Sequence, residues 1–317
     1  MSFTQINLAQ LPAPNIVQAL DYETILAAML ADLQARDATF TALVESDPAY
    51  KVLEVAAYRE LILRQRVNDA ARGVMLAYAL RSDLDNLAAN LNVQRLLITA
   101  ADPDAIPPVE AVYEGDTDLR ARVQLAFEGL STAGPVGSYK FHGLSADGDV
   151  ADIGVEAVEF HMSGSTVVID NDAHLASPQP GNVAVTVLSR TGTGAAGALL
   201  LAAVEAAVND DKVRPLTDRV VVRSAAIVTY AIDATLTFYD GPSSATVLQA
   251  ASDAVDAYQA QQRKIGYDIT RSGLFAALHQ PGVQNVVLTS PAADVVIDTH
   301  EAAYCTGKTL TNGGVGV

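Results

Sequence analysis

Between Pro14 and Gly73 the chain meets one proline, Pro48, and no glycine. So long a stretch without backbone breakers favours long helices, which satisfy the backbone groups internally. From Tyr22 to about Leu91 the composition is helical throughout. Asp47 and Pro48 mark where one helix closes and the next begins. In the second helix Leu53, Ala57, Leu61 and Val67 share one side. Glu60 and Arg64 stand four apart in the favourable order, a pair contributing about 0.3–0.5 kcal/mol. Ser82 followed by Asp85 predicts a capping box opening a short helix through Leu91. Upstream, Pro12 and Pro14 predict an extended arm over residues 1–20.

The rest of the chain has a different texture. Residues 99–113 carry several prolines and acids and read as a linker after a helical region at 21–98. A helix is expected at Asp116–Leu130, with Asp116 and Asp118 at its positive end. The glycine-rich stretch after it leads into strand-like runs at Val150–Val158, Val167–Ile169 and Val183–Leu188. Strand–helix–strand order then appears twice. The first passage is Val183–Leu188, a helix at Ala195–Asn209 and Arg219–Ser224. The second is Ile227–Tyr239, a helix at Ser243–Gln262, a short helix at Ser272–His279 and Val283–Leu288. The pattern predicts an α+β chain: a helical N-terminal region followed by two small α/β sandwich domains, at 114–226 and 227–300. The last residues, 301–317, read as a tail that is mobile unless a partner holds it.

Composition narrows the function. Lysine and arginine number 20 against 37 aspartates and glutamates, a net charge of −17. Such a surface repels phosphate backbones, so no nucleic-acid partner is expected. A single cysteine, Cys305, leaves no intramolecular disulfide framework and no multi-cysteine metal site. No signal peptide is evident at the start. The longest apolar stretch, Ala195–Val204, is far shorter than the roughly 20 residues of a membrane span, so no membrane role is expected.

One motif invites an enzymatic reading. The apolar run ending at Leu188 enters Gly192-Thr-Gly194-Ala-Ala-Gly197 and leaves in an apolar helix, the written form of a dinucleotide fingerprint. An NAD(P)-dependent oxidoreductase is therefore the alternative function. It lacks an acid at the end of the second strand, where Arg223 and Ser224 stand instead, and lacks a run of βαβ units. The loop is expected to be a flexible surface turn in which Gly194→Ala changes stability slightly. Gly307-Lys308-Thr309 mimics the end of a phosphate loop, but Ala302 occupies the position of the required glycine. Asp147, Asp149 and Asp152 form one acidic cluster, and Asp170, Asp172 and His174 another. Both read as solvated turns rather than metal sites, although a calcium-binding adhesion module is a further alternative. His142, His161, His174, His279 and His300 are scattered, and no catalytic set, cofactor or metal is assigned.

Three stretches in order carry a resemblance. They are AYRELILRQRVNDAARGVMLAYA at 57–79, LDNLAANLNVQRL at 84–96 and DTDLRARVQLAFEGLSTAGPVGSYKFHGLSADGDVADI at 116–153. Together they resemble the baseplate J-like family of contractile-tailed phages and related injection particles, over nearly the whole chain. The resemblance implies a structural wedge subunit, not an enzyme, in the tail baseplate of a virion made and assembled in the bacterial cytoplasm. It implies that the helical region packs with a smaller second wedge protein. It also implies that other copies of the chain close a ring around the hub and spike, near the sheath, and that the ring rearranges on host attachment. The partner face is placed at Leu53, Tyr58, Leu61, Arg64, Val67, Leu84 and Leu87. Residues 159–182 depart from the family pattern as an insertion with an extra strand.

Overall fold

The computed structural model describes residues 6–11, 19–40, 44–241 and 243–316. Pro12 and Pro14 of the expected arm lie outside them, and within that arm Leu8–Gln10 form a 3-10 turn instead of extended chain. The chain divides into two compact units, one running to Gln94 with Asp116–Val123, the other of Arg95–Gly115 with the chain from Gln124 onward.

The first unit is helical. Helix α1 spans Tyr22–Arg36 and α2 spans Pro48–Gly73. Asp21 caps the first through the Glu23 N–H, and Asp47 caps the second through the Ala49 N–H at 2.8 Å, with Pro48 in the first turn. Asp47 therefore opens α2, and its role at the close of the preceding helix is not the one the structure gives it. The core between the helices is Ile25, Leu26 and Ala57, with Leu30, Leu53 and Leu61 packed around it. Helix α3, Arg81–Ala89, buries Leu84 and Ala88 completely. The capping box predicted at Ser82 and Asp85 does not form. Leu80 holds the cap position without a side-chain bond, and the Arg81 N–H donates to the Asp116 carboxylate at 3.1 Å. Asp116 begins helix α4, Asp116–Leu125, whose Arg120 donates to the Leu76 and Ala79 carbonyls at 2.7 and 2.6 Å. Two sequence-distant side chains thus fix the turn between α2 and α3.

In the second unit, β1 (Leu97–Thr99) pairs antiparallel with β2 (Val112–Tyr113), so the predicted linker is a short ribbon. The helix expected to run to Leu130 stops at Leu125, and Glu128–Leu130 form a 3-10 turn. Helix α5, Val136–Ala146, occupies the glycine-rich segment that carried no helix in the sequence reading. Its glycines are there for close approach: a Cβ on Gly143 would stand 3.0 Å from the Ile153 side chain. Strand β3 is Val150–Ala157, and β4 (Glu159–Ser163) and β5 (Thr166–Asp170) form a separate hairpin. Gly164, at φ 65°, opens its two-residue turn, where glycine relieves the steric cost. Strand β6 is Asn182–Ser189, helix α6 Ala198–Val208 and β7 Arg219–Ser224.

These strands make a sheet ordered β3-β6-β7, with β6 antiparallel to β3 and parallel to β7. Every residue of β6 is buried, which explains its nearly continuous apolar sequence. Val183, Val185 and Val187 pack under α5 and α6 with Tyr139, Ile153, Leu200 and Val204. On the opposite face Leu188 meets Ala225 and Ala302.

The C-terminal sheet is built from β8 (Ala226–Phe238), β9 (Val283–Ser290) and β10 (Glu301–Val315), ordered β10-β8-β9. Helices α7 (Ser244–Gln262) and α8 (Arg271–Leu278) cover one face. Tyr230, Ile232, Ala234, Leu236 and Phe238 alternate inward along β8 and form the core with Val255, Leu274 and Leu278. β9 runs antiparallel to β8, and the parallel partner is β10. The stretch read as an untethered tail is thus a 15-residue strand of the sheet. The sequence hides it because KTLTNGG is rich in threonine and glycine. An edge strand buried mainly near its start needs only a few apolar residues.

Tyr139 is buried with a partner for its hydroxyl. It is 1% exposed, and its hydroxyl donates to Asp218 Oδ2 at 2.8 Å. Burial first, then the Asp218 carboxylate, push its ionisation well above the usual tyrosine range, and burial does the same to Tyr230. Above about pH 10 the unfolded chain releases these protons while the folded chain keeps them, so stability falls as pH rises. Urea midpoints should therefore drop on the alkaline side. In Tyr139→Phe that drop should be shallower, at a cost of about 1 kcal/mol at neutral pH.

Candidate functional site

Two shallow recesses stand out among the described residues. A shallow recess of about 230 Å³ on the helical unit is lined by Ala70, Gly73, Val74, Asp83, Leu87 and Asn90. A second, of about 240 Å³, lies against Tyr230, Asp256, Arg263 and Tyr304. Both fall below the roughly 300–1,000 Å³ of a typical ligand pocket.

The glycine loop sits where a fingerprint would, between β6 and α6 with β7 parallel, but its polar groups are already engaged. The Ser189 N–H donates to the Gly194 carbonyl at 2.8 Å, Arg263 donates to the Gly192 carbonyl at 2.9 Å, and the Ala196 N–H donates to Ser224 Oγ at 2.9 Å. Arg223, which stands where an NADP-type phosphate contact would be sought, pairs with Glu156 at 3.2 Å and donates to Thr186 and to the His174 carbonyl. The loop is a surface turn held to the fold by these bonds. Gly194 has φ 106°, and a Cβ there would stand 2.7 Å from Leu188 Cδ1. Gly194→Ala should therefore cost about 1–3 kcal/mol, more than slight, read as a lowered urea midpoint. Gly192→Ala, with open space around it, should cost less.

The other sequence decoys resolve locally. Lys308 lies in β10 and bonds Ser252 and Asp256 of α7, with Nζ 2.6 Å from Asp256 Oδ1. Asp147 accepts from the Asp149 N–H, Asp149 from Ser189, and Asp152 from the Ile153 and Ile265 N–H groups. These three aspartates hold turns and strand ends, and they do not converge on one point. Burial pushes the Asp152 carboxyl up from its usual range, which the two N–H donors partly offset. His142 bonds the Gly129 carbonyl at 3.0 Å.

The residues placed on the partner face separate into two groups. Leu53 and Leu61 pack against α1, and Leu84 is fully buried in its own unit. These three are engaged within the fold. Arg64 is half-buried and paired with Glu60, and Leu87 lines the shallow recess. Tyr58 and Val67 are exposed, at 56% and 47%. Val52, Val55 and Leu63, outside that expected face, are also exposed, at 68%, 62% and 59%. At 100° per residue, Val52, Val55, Leu63 and Val67 form a stripe on the side of α2 away from α1. The signal was present in the sequence: α2 is apolar on two sides, and one partner helix covers only one of them.

A different cluster joins residues that sequence separation had kept apart. His174, in the turn after β5, and His300, just before β10, have rings stacked with centroids 4.4 Å apart. Asp298 Oδ2 lies 3.3 Å from His174 Nε2 and 4.0 Å from His300 Nδ1. Asp298 Oδ1 is occupied by the Thr299 N–H at 2.7 Å, and that bond is the main reason its carboxyl sits below the usual carboxylate range.

Sequence comparison gives this architecture its class. The N-terminal, central and C-terminal domains of baseplate J-like proteins match residues 45–102, 131–224 and 230–311, and the chain belongs to that family. Baseplate protein J of Escherichia phage P2 is 48% identical over 316 residues, covering 98% of each chain. Among solved structures, a chain of the anti-feeding prophage baseplate aligns with a TM-score of 0.38 and 14% identity. That alignment covers 62% of this chain and less than half, 43%, of the longer one. Among the described residues no helix is long and apolar enough to cross a membrane.

Proposed function

We propose that the chain is a non-catalytic structural subunit of a contractile-tail baseplate wedge. Family membership gives the coarse role, a baseplate protein of a phage tail. The observation that carries the finer reading is the apolar stripe of Val52, Val55, Leu63 and Val67. An amphipathic helix already packed on one side has no need of a second apolar side unless something covers it. In this reading the stripe, with Tyr58, receives the smaller second wedge protein. The second unit meets other copies of the chain in the ring around the hub and spike, beneath the sheath. The hairpin β4–β5 of the insertion adds a neighbour contact through Phe160, Met162 and Val167, exposed at 55%, 60% and 50%. On host attachment these contacts rearrange and the sheath contracts. The protein is assembled in the host cytoplasm and resides in the virion tail. Co-expression with the second wedge protein tests the reading: a stable complex should form and should be lost when aspartates replace Val55 and Leu63.

A further inference from the structure

We propose that His174, Asp298 and His300 form a binding site for a divalent transition-metal ion, zinc or a close relative. The three ligand atoms, one from each residue, all lie within 4.8 Å of one another. In a four-coordinate zinc site with bonds of about 2.0 Å, donor atoms stand about 3.3 Å apart. His174 Nε2 and Asp298 Oδ2 already stand at 3.3 Å, whereas His300 Nδ1, at 4.0 Å from the same oxygen, must approach, and the stacked rings must turn so that both nitrogens face one ion.

The second observation is independent of those distances. His300 Nδ1 is buried and has no hydrogen-bond partner among the described residues. A buried polar nitrogen without a partner is costly, and native folds rarely leave one so. Asp298 Oδ2, at 4.0 Å, is too far for a hydrogen bond. A cation between them satisfies both atoms at once.

The surroundings hold the ligands in place. The Thr299 N–H occupies Asp298 Oδ1, so Oδ2 is the oxygen left for the cluster. The Asp298 N–H is held by the Glu301 carboxylate at 3.0 Å. The His300 carbonyl accepts from the Ala226 N–H at 3.1 Å, which fixes that residue to the start of β8. His174 adopts φ 50°, and its carbonyl accepts from Arg223 at 3.0 Å. Ala173, beside it, is fully buried against Val158 and Ala184. Such fixing of the ligands is what a metal site requires of its supporting residues.

Two imidazoles and one carboxylate select the chemistry of the ion. That donor set suits zinc, cobalt, nickel or copper, whereas calcium and magnesium prefer oxygen ligands alone. The ion would staple the turn that follows the inserted hairpin to the connection between β9 and β10. With side chains of His174 and Asp298 exposed at 43% and 47%, a further coordination position faces solvent.

The test uses the full chain, purified without a polyhistidine tag and stripped with a chelator. Titration calorimetry with zinc chloride should show one equivalent bound, and zinc should raise the melting temperature. His174→Asn, tolerated at this positive φ, and His300→Gln should each weaken binding by at least about tenfold. His161→Ala should leave it unchanged, since His161 pairs with Asp170 elsewhere. Urea midpoints of the stripped variants, close to the unsubstituted chain, would show that the fold is intact. Absence of stoichiometric zinc uptake by the unsubstituted chain overturns the proposal, as does uptake that persists in both His174→Asn and His300→Gln.

Discussion

Truncation after His300 should abolish folding of the C-terminal sheet. The lost segment is β10, which pairs with β8 at 12 positions between Glu301 and Val315. At about 1 kcal/mol net per hydrogen bond, the ladder alone is comparable with the roughly 5–15 kcal/mol that stabilises a whole domain. The segment also carries Ala302 and Ala303, which are buried, and Lys308, which ties the strand to Ser252 and Asp256 on α7. Without it, β8 becomes an open edge, a template for aggregation. The expected readout is insoluble protein, or soluble protein that has lost the cooperative urea transition of this sheet. A milder truncation after Thr309 removes the exposed end of the strand and should lower stability without abolishing folding. A chain ending at His300 that kept the full urea midpoint and slope would mean that the last 17 residues contribute nothing to the fold.

How much of this was legible in the sequence depended on where burial left a period. β8 shows it best: Tyr230, Ile232, Ala234, Leu236 and Phe238 alternate inward, and the predicted run differs from the strand by one residue at each end. Helices α1 and α2 were legible from the lack of breakers. What failed was whatever depended on distant partners. Helix α5 was hidden by Gly137 and Gly143, which weaken a helix locally but let it approach Glu128 and Ile153 closely. The N-terminus of α3 is capped by Asp116, 35 residues away, so the local Ser82–Asp85 pattern misled. β10 has too few apolar residues to announce itself.

The candidate sites followed the same rule. His174 was grouped with Asp170 and Asp172, its sequence neighbours, but Asp170 turns to His161 and His174 to Asp298. Only the fold brings positions 174 and 300 together. The partner face mixes the α1-facing Leu53 and Leu61 with the exposed Tyr58 and Val67. Of the second apolar side it includes Val67 but not Val52, Val55 or Leu63.

That second side supplies the other large effect. Aspartates at Val55 and Leu63 place two charges in what the account makes the centre of a protein–protein contact. Hot-spot residues near the centre of an interface contribute about 2 kcal/mol or more each, so the pair should weaken the complex by more than about a hundredfold. Both side chains are exposed in the isolated chain, at 62% and 59%, so the fold should be unaffected. Leu53→Asp and Leu61→Asp offer the contrast. They strike the α1–α2 core and should lower the melting temperature before any question of binding arises.

The decisive measurement is size-exclusion chromatography of the full chain co-expressed with the second wedge protein, beside the Val55→Asp, Leu63→Asp variant. A stable stoichiometric complex is expected for the unsubstituted chain. Separate elution is expected for the variant, with an unchanged melting temperature. A variant that still co-elutes in full, or an unsubstituted chain that never binds the second wedge protein, would contradict the proposed partner face.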